Sequence, residues 1–404
     1  MASPVRLRVY NVFKGWLETH WRDETDRDAL VLIEPFAEFN LTAVLPSAGK
    51  RLLELAQRVS SSDGTLVPRM VSSMGKTNTS ISQYIPIDTP LPAPNLSKSQ
   101  AHALTNWKSG GSCPTVLDFD PLEIARQLTI KQMHIFCAIM PEELLGSQWM
   151  KKGGVGSPNV KAMTALSTDL SNLVADTILY YNEVKKRAAV IKQWIKVAHQ
   201  CLELHNYDAL MAIICSLNSS TITRLRKTWD VISPKRRELL KTLQAIVEPS
   251  QNNKVLRARL HDHVPPCLPF QGMFLTDLTF VDIGNPATKQ LPGADGTSDL
   301  TVVNFDKHTR TAKIIGELQR FQIPYRLTEL PDLQEWIQGQ ITRVRELDNG
   351  NNVQVSYYRK SLLLEPRETQ ALRTPIEGPA GPNGQKADLF GWMRGGGDKS
   401  AAVI

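Results

Sequence analysis

Apolar residues recur every three to four positions along most of the 404-residue chain. That spacing predicts amphipathic α-helices, each with one face to bury. In the first segment, Arg6 to Val59, the residues Val9, Val12, Phe13, Trp16 and Leu17 share a stripe. Leu30, Ile33 and Phe36, then Leu52, Leu53, Leu55 and Ala56, continue the pattern. About fifty residues of helix have little area for a core of their own. Residues 1–59 are therefore expected to be a partial helical module that leans on the rest of the chain.

Between residues 60 and 117 the pattern stops. Ser, Thr, Pro and Gly take over, with Pro86, Pro90, Pro92 and Pro94 close together and the Gly110-Gly111 pair near the end. Such a stretch buries too little apolar area to offset chain entropy, so a disordered linker is expected.

Helical spacing returns over 118–367. Leu166, Leu170, Leu173, Val174 and Ile178 lie on one face, as do Ile191, Trp194, Ile195, Ala198 and Leu202, and later Leu333, Trp336, Ile337, Ile341 and Val344. Two-residue alternation is confined to Val353–Tyr357. The fold class is all-α, with about ten helices bounded by turn signals such as Ser233-Pro234 and Pro265-Pro266. Residues 368–404 are rich in Gly and Pro and read as a disordered tail, interrupted by the apolar cluster Leu389, Phe390, Trp392 and Met393.

Composition narrows the choice of function by exclusion. No apolar run reaches the ~18 residues of a membrane helix, and the polar N-terminus does not suit a signal peptide. Five cysteines without a CxxC pair suggest neither a disulfide framework nor a zinc knuckle, so a cytoplasmic protein is expected. The net charge of +7 is small for this length. Basic runs such as Lys235-Arg236-Arg237 lack the interleaved aromatics that stack bases, which argues against nucleic acid. Gly75-Lys76-Thr77 is half of a phosphate loop, with Met70 where the first glycine should stand. His261, His263 and Cys267, like His199 and His205, lack metal-ligand spacing, so no metal is assigned.

What remains is a set of strings in a fixed order. Asp120-Pro121-Leu122-Glu123-Ile124-Ala125-Arg126-Gln127-Leu128-Thr129 opens the helical region. Pro141-Glu142-Glu143-Leu144-Leu145-Gly146-Ser147-Gln148-Trp149 and Ser157-Pro158-Asn159 follow, then Leu217-Asn218-Ser219-Ser220 with Arg224-Leu225 and Thr228-Trp229. Leu275-Thr276-Asp277-Leu278-Thr279-Phe280, Gly284-Asn285-Pro286, Asn304-Phe305 and Glu365-Pro366-Arg367 complete the set. Together these closely resemble the catalytic domain of the Ras-family guanine-nucleotide exchange factors, the group that includes Son of sevenless and the fungal Ras activators. Arg8 to Leu17, continuing to Trp21, resembles the second half of the Ras exchanger motif that precedes that domain in the family.

The resemblance implies exchange without covalent chemistry or cofactor: a protruding helical hairpin pries a switch segment off the nucleotide of a Ras-like small GTPase. The hairpin would run as a helix over Phe270–Ile283, a tip, and a return helix from Leu300 to Phe321. Within it, Phe274, Leu278 and Val281 form a stripe suited to packing, and Thr276, Thr279 and Ile283 form a second stripe. The resemblance turns the second stripe toward the GTPase. Its implied catalytic residues are Phe270, Thr276, Asp277, Thr279, Phe280, Asp282 and Ile283, and its implied GTPase contacts are Trp149, Met163, Asn218, Arg224, Asn304, Lys307 and Arg310. Many animal members carry a carboxylate where this chain has Ile283. Here Asp282 precedes it, about 100° round the helix, which favours steric opening over phosphate mimicry. A monomer is expected, with room for peripheral association at the inner face of the plasma membrane or an endomembrane. The alternative is a scaffold that binds GTPases without releasing nucleotide.

Overall fold

The computed structural model describes residues 2–61, 90–151, 156–291, 300–348 and 353–366. They fall into two compact units, one up to Thr89 and one from Pro90. The half phosphate loop and the whole of the tail with its apolar cluster lie outside the described residues.

The first unit contains helices α1 (Ala2–Gly15), α2 (Leu30–Pro35) and α3 (Pro46–Ser61), with wider helical turns at Trp16–His20 and Phe36–Leu41. It builds a small core of its own from Leu17, Trp21, Leu30, Ile33, Ala37, Leu41, Leu52, Leu55, Ala56 and Val59. The apolar spacing named Leu17, Leu30, Ile33, Leu52, Leu55 and Ala56 but not Trp21, Ala37, Leu41 or Val59, and it is these additional side chains that give the segment the core it was not expected to have alone. Val12, from the expected stripe, is instead 62% exposed. Trp16 donates to Asp26 at 2.8 Å, which fixes the corner between α1 and the segment before α2.

The second unit opens on residues assigned to the linker. Helix α4 (Lys98–Lys108) begins with a reciprocal capping box between Ser97 and Gln100, which satisfies two otherwise unpaired N–H groups. Its Leu104 is fully buried, and Trp107 packs against the main core. The chain before it is tied down as well: Asn95 N–H donates to Glu123 at 2.8 Å, and Arg126 donates to the Ala93 carbonyl at 3.0 Å. The expected disordered linker is thus too long at its C-terminal end. A few well-placed apolar side chains and backbone hydrogen bonds order residues 90–117 despite their polar composition, while 62–89 lie outside the described residues.

The body is a bundle of α5 (Pro121–Cys137), α6 (Pro158–Leu179), α7 (Val184–Glu203), α8 (Tyr207–Asn218), α9 (Pro234–Ile246), α10 (Ser250–His261), α11 (Gln271–Gly284), α12 (Phe305–Gln319), α13 (Pro331–Asp348) and α14 (Val353–Leu364). Proline occupies the first helical position of α5, α6 and α9, where its missing N–H costs nothing. Helices α5 and α7 pack together, as do α6 and α8. Trp194 lies between them, nearly fully buried, with its indole N–H on the Thr177 hydroxyl at 2.9 Å. The alternating stretch at Val353 folds as α14, because Val353, Tyr357 and Ser361 stand four residues apart and all three are buried. No described helix is long and apolar enough to cross a membrane.

Candidate functional site

Helices α11 and α12 pack on each other as a hairpin. Its base is set by sequence. Phe270, only 7% exposed, precedes α11 and lays its ring over Gly272, where an added Cβ would stand 2.5 Å from the ring's Cζ. Phe274, Leu275 and Leu278 are buried along α11, and Ile315, Leu318 and Phe321 close the other side. Beneath the base, Asp208 is fully buried and accepts from Gln132 at 3.0 Å, from the Ser167 hydroxyl and from the Gln271 backbone N–H. Burial pushes its carboxyl up to about 6, and the Ser167 and Gln271 hydrogen bonds only partly oppose that rise.

The return helix starts five residues later than expected. Thr288–Leu291 and Leu300–Val303 form a two-stranded antiparallel ribbon, with Thr288 opposite Val303 and Leu291 opposite Leu300. The β-branched residues Thr301, Val302 and Val303 favour this extended pairing over a helical turn. Asn304 closes the ribbon. It is buried, its side chain donates to the Pro286 carbonyl at 2.8 Å, and its backbone N–H reaches the Ala287 carbonyl at 2.9 Å.

On the outer face, Phe280 is 67% exposed and Ile283 80% exposed, and Phe305 at the start of α12 is 73% exposed. These uncharged side chains are free to enter a partner. Thr276 and Thr279 are half-buried and donate to the carbonyls four residues back, both at 2.8 Å, the usual back-bonding of a hydroxyl within a helix. Thr279 also meets the Met150 sulfur at 3.9 Å. Arg310 is exposed on α12.

Other residues expected at the site have structural duties. Asp277 receives both terminal nitrogens of Arg257, at 2.7 and 2.9 Å, a bidentate pair that joins α11 to α10. Arg257 in turn donates to the carbonyl and side chain of Asn252, within a run of three left-handed residues, Gln251 to Asn253. Lys307 binds Asp282 at 2.8 Å. Met163 is wholly buried in α6. Arg224 donates to the Ser361 and Glu365 carbonyls, at 2.5 and 2.6 Å, and so clamps the end of α14. Spacing alone could not separate these roles, because a charged residue at a helix surface looks the same whether its partner lies inside the chain or beyond it.

Asn218 and Trp149 remain partly available. Asn218, exposed at the end of α8, accepts from Gln244 at 2.5 Å and borders a cleft of about 380 Å³ with Met211, Cys215, Lys241 and Glu248. Lys241 and Gln244 carry no motif and were not distinguishable in the sequence. Trp149 is half-buried, and its indole nitrogen has no hydrogen-bond partner among the described residues. A second, mostly apolar cavity of about 250 Å³, beside Trp194 and Trp336, includes none of the expected site residues. No group of three or more metal-ligating side chains occurs among the described residues.

Comparison with known families places this arrangement. Residues 123–309 match the family model of the RasGEF domain. The chain carries a RasGEF domain. The match begins inside α5 and ends in the first turns of α12, so it takes in the whole of α11 and the ribbon. Among curated proteins, the chain is 32% identical over 368 residues to Ras guanine nucleotide exchange factor A of Dictyostelium discoideum, covering 91% of this chain and 56% of that protein. It is 28% identical over 372 residues to Cell division control protein 25 of Saccharomyces cerevisiae, covering 91% of this chain and 22% of that protein. To Ras-specific guanine nucleotide-releasing factor 1 of Rattus norvegicus it is 36% identical over 248 residues, 61% of this chain and 19% of that protein. The chain thus spans between about a fifth and somewhat over half of these relatives.

Proposed function

We propose that the RasGEF domain accelerates GDP release from a Ras-like small GTPase by inserting the α11–α12 hairpin beside the nucleotide and stabilising the nucleotide-free state. The observation that carries this reading is the exposure of Phe280 and Ile283 on a helix whose opposite face is buried and pinned. Apolar groups left in water on an otherwise well-packed element mark a contact surface.

The energetics set what the hairpin has to do. A nucleotide held at picomolar strength is bound by about 16 kcal/mol. An exchange factor that binds the empty GTPase more tightly than the loaded one must, by linkage, weaken nucleotide binding by the same free energy. No bond is made or broken in the exchange factor. Phe280 and Ile283 offer no oxygen to Mg²⁺, a hard cation that demands oxygen ligands, so a hairpin carrying them would exclude the ion rather than share it. Asn218 and Trp149 would support the GTPase away from the hairpin.

The reading includes action by a single copy at the cytoplasmic face of a membrane, where a net charge of +7 suits an anionic surface. It also takes the first unit as part of a Ras exchanger motif, supported by the string from Arg8 to Trp21.

The test is release of fluorescent GDP from a Ras-type GTPase at micromolar concentrations of the chain. Acceleration over the intrinsic rate is expected. Complex formation without acceleration would leave the chain as a GTPase-binding scaffold.

A further inference from the structure

Near the ribbon, the hairpin is tied to a neighbouring loop at a single carboxylate. Asp282, in the last turn of α11, takes the Lys307 ammonium on Oδ1 at 2.8 Å and the Ser147 hydroxyl on Oδ2 at 3.1 Å. Lys307 comes from the first turn of α12 and also donates to the backbone carbonyl of Asp282 at 3.1 Å. It therefore caps the C-terminal end of α11, where carbonyls lack helical partners and a cation is favoured. Ser147 is aimed by two successive left-handed residues, Gly146 at φ 58° and Ser147 at φ 52°. A serine holds that conformation only where its surroundings fix it. One turn back on α11, Thr279 meets Met150 from the same loop. Both carboxylate oxygens of Asp282 are thus engaged within the molecule, and the exposed Ile283 is the next residue along the chain.

We propose that Asp282 is a positioning residue of the exchange reaction: with Lys307 and Ser147 it fixes the angle between α11 and α12 and their seating on the Gly146–Met150 loop, which sets the direction of Ile283. The proposal rests on the exchange reading above and assigns Asp282 no contact with the GTPase. A wedge whose orientation is already settled spends none of its contact energy on ordering at the moment the nucleotide is displaced, so the gain falls on the maximal rate rather than on first binding.

The opposing view, in which the carboxylate touches the GTPase directly, predicts different mutant behaviour. Freeing Asp282 by Lys307→Met would then preserve or raise exchange. Under the positioning role, Asp282→Asn and Lys307→Met each lower the maximal exchange rate, by about three- to tenfold. The half-saturating GTPase concentration and the unfolding midpoint stay near their original values. The double variant is no worse than the poorer single one, and the charge swap Asp282→Lys with Lys307→Asp recovers most of the loss.

Hydrogen exchange of the Val281–Gly284 amides gives a readout that needs no GTPase: both single variants should exchange faster there. Failure of the original chain to accelerate GDP release would refute the exchange reading and the catalytic role of Asp282 with it, while the amide data would still report on the tie itself. With an active original chain, additive losses, an active Lys307→Met variant or unchanged amide protection would each overturn the positioning role alone.

Discussion

Two ion pairs join distant parts of the second unit in contrasting environments. Arg187 and Glu365, with 0% and 6% of their side chains exposed, lock the end of α14 to α7. Lys307 and Asp282, at 15% and 32%, join the two arms of the hairpin. Burying two ions costs several kcal/mol each unless every donor and acceptor finds a partner. The first site meets that demand. Arg187 also donates to Thr228 and to the carbonyls of Tyr181 and Asn182, and Glu365 also accepts from the Lys227 and Thr228 backbone and the Thr228 hydroxyl. The second pair needs less, because water still reaches it. A saturated, dry network has one arrangement, whereas a wet pair can be exchanged at small cost. Stability is concentrated at the clasp, while the hairpin pair sets orientation and carries little of the folding energy.

The sharpest way to break this contrast is to remove a clasp partner. Glu365→Ala leaves the Arg187 guanidinium buried without its counter-charge and should cost about 4 kcal/mol, read as a drop in denaturant midpoint. A loss close to that of a surface pair would mean the clasp is far wetter than its geometry. At the hairpin base, Phe270→Ala should cost about 3 kcal/mol, because the vacated space is walled by α11 and cannot collapse fully.

Asp208 sharpens the comparison through pH. Its folded-state pKa lies above the unfolded value, so the stability it contributes is complete below about 3.8 and is lost as the pH rises through about 6. A shift of that size amounts to about 3 kcal/mol between those limits. Asp208→Asn should flatten the corresponding slope of unfolding free energy against pH. Asp282 behaves oppositely: the Lys307 ammonium holds its carboxyl below the ordinary range, so the hairpin tie persists through pH 5 and weakens only in stronger acid.

The smallest change in stability should come from the exposed face. Phe280→Ser with Ile283→Ser should shift unfolding by no more than about 0.5 kcal/mol. The same double variant should slow GDP release by more than tenfold. A variant that kept full activity would show that the wrong face of α11 had been assigned to the GTPase.

Legibility in the sequence divides along the same line. The all-α class and the order of helices followed from periodicity, because Leu170, Trp194 and Ile337 face the core through regular spacing. The strings located α11 and its turn. Periodicity was silent where local chemistry overrides it. The capping box at Ser97 ordered a segment of polar composition, and β-branched residues turned Leu300–Val303 into a strand. Charged site residues were the least legible. Asp277, Arg224 and Lys307 are occupied by Arg257, by the end of α14 and by Asp282, partners between 20 and 141 positions away that no local pattern reveals.

The contact between Phe270 and Gly272 has a consequence for how such a chain can diverge. Because a Cβ at position 272 would fall 2.5 Å from the buried ring, neither residue can drift alone. Any side chain at 272 requires a smaller residue at 270, and a smaller residue at 270 by itself leaves a void under the hairpin. The two positions therefore form one inherited unit, and a viable descendant that alters the pair is expected to have crossed both steps together.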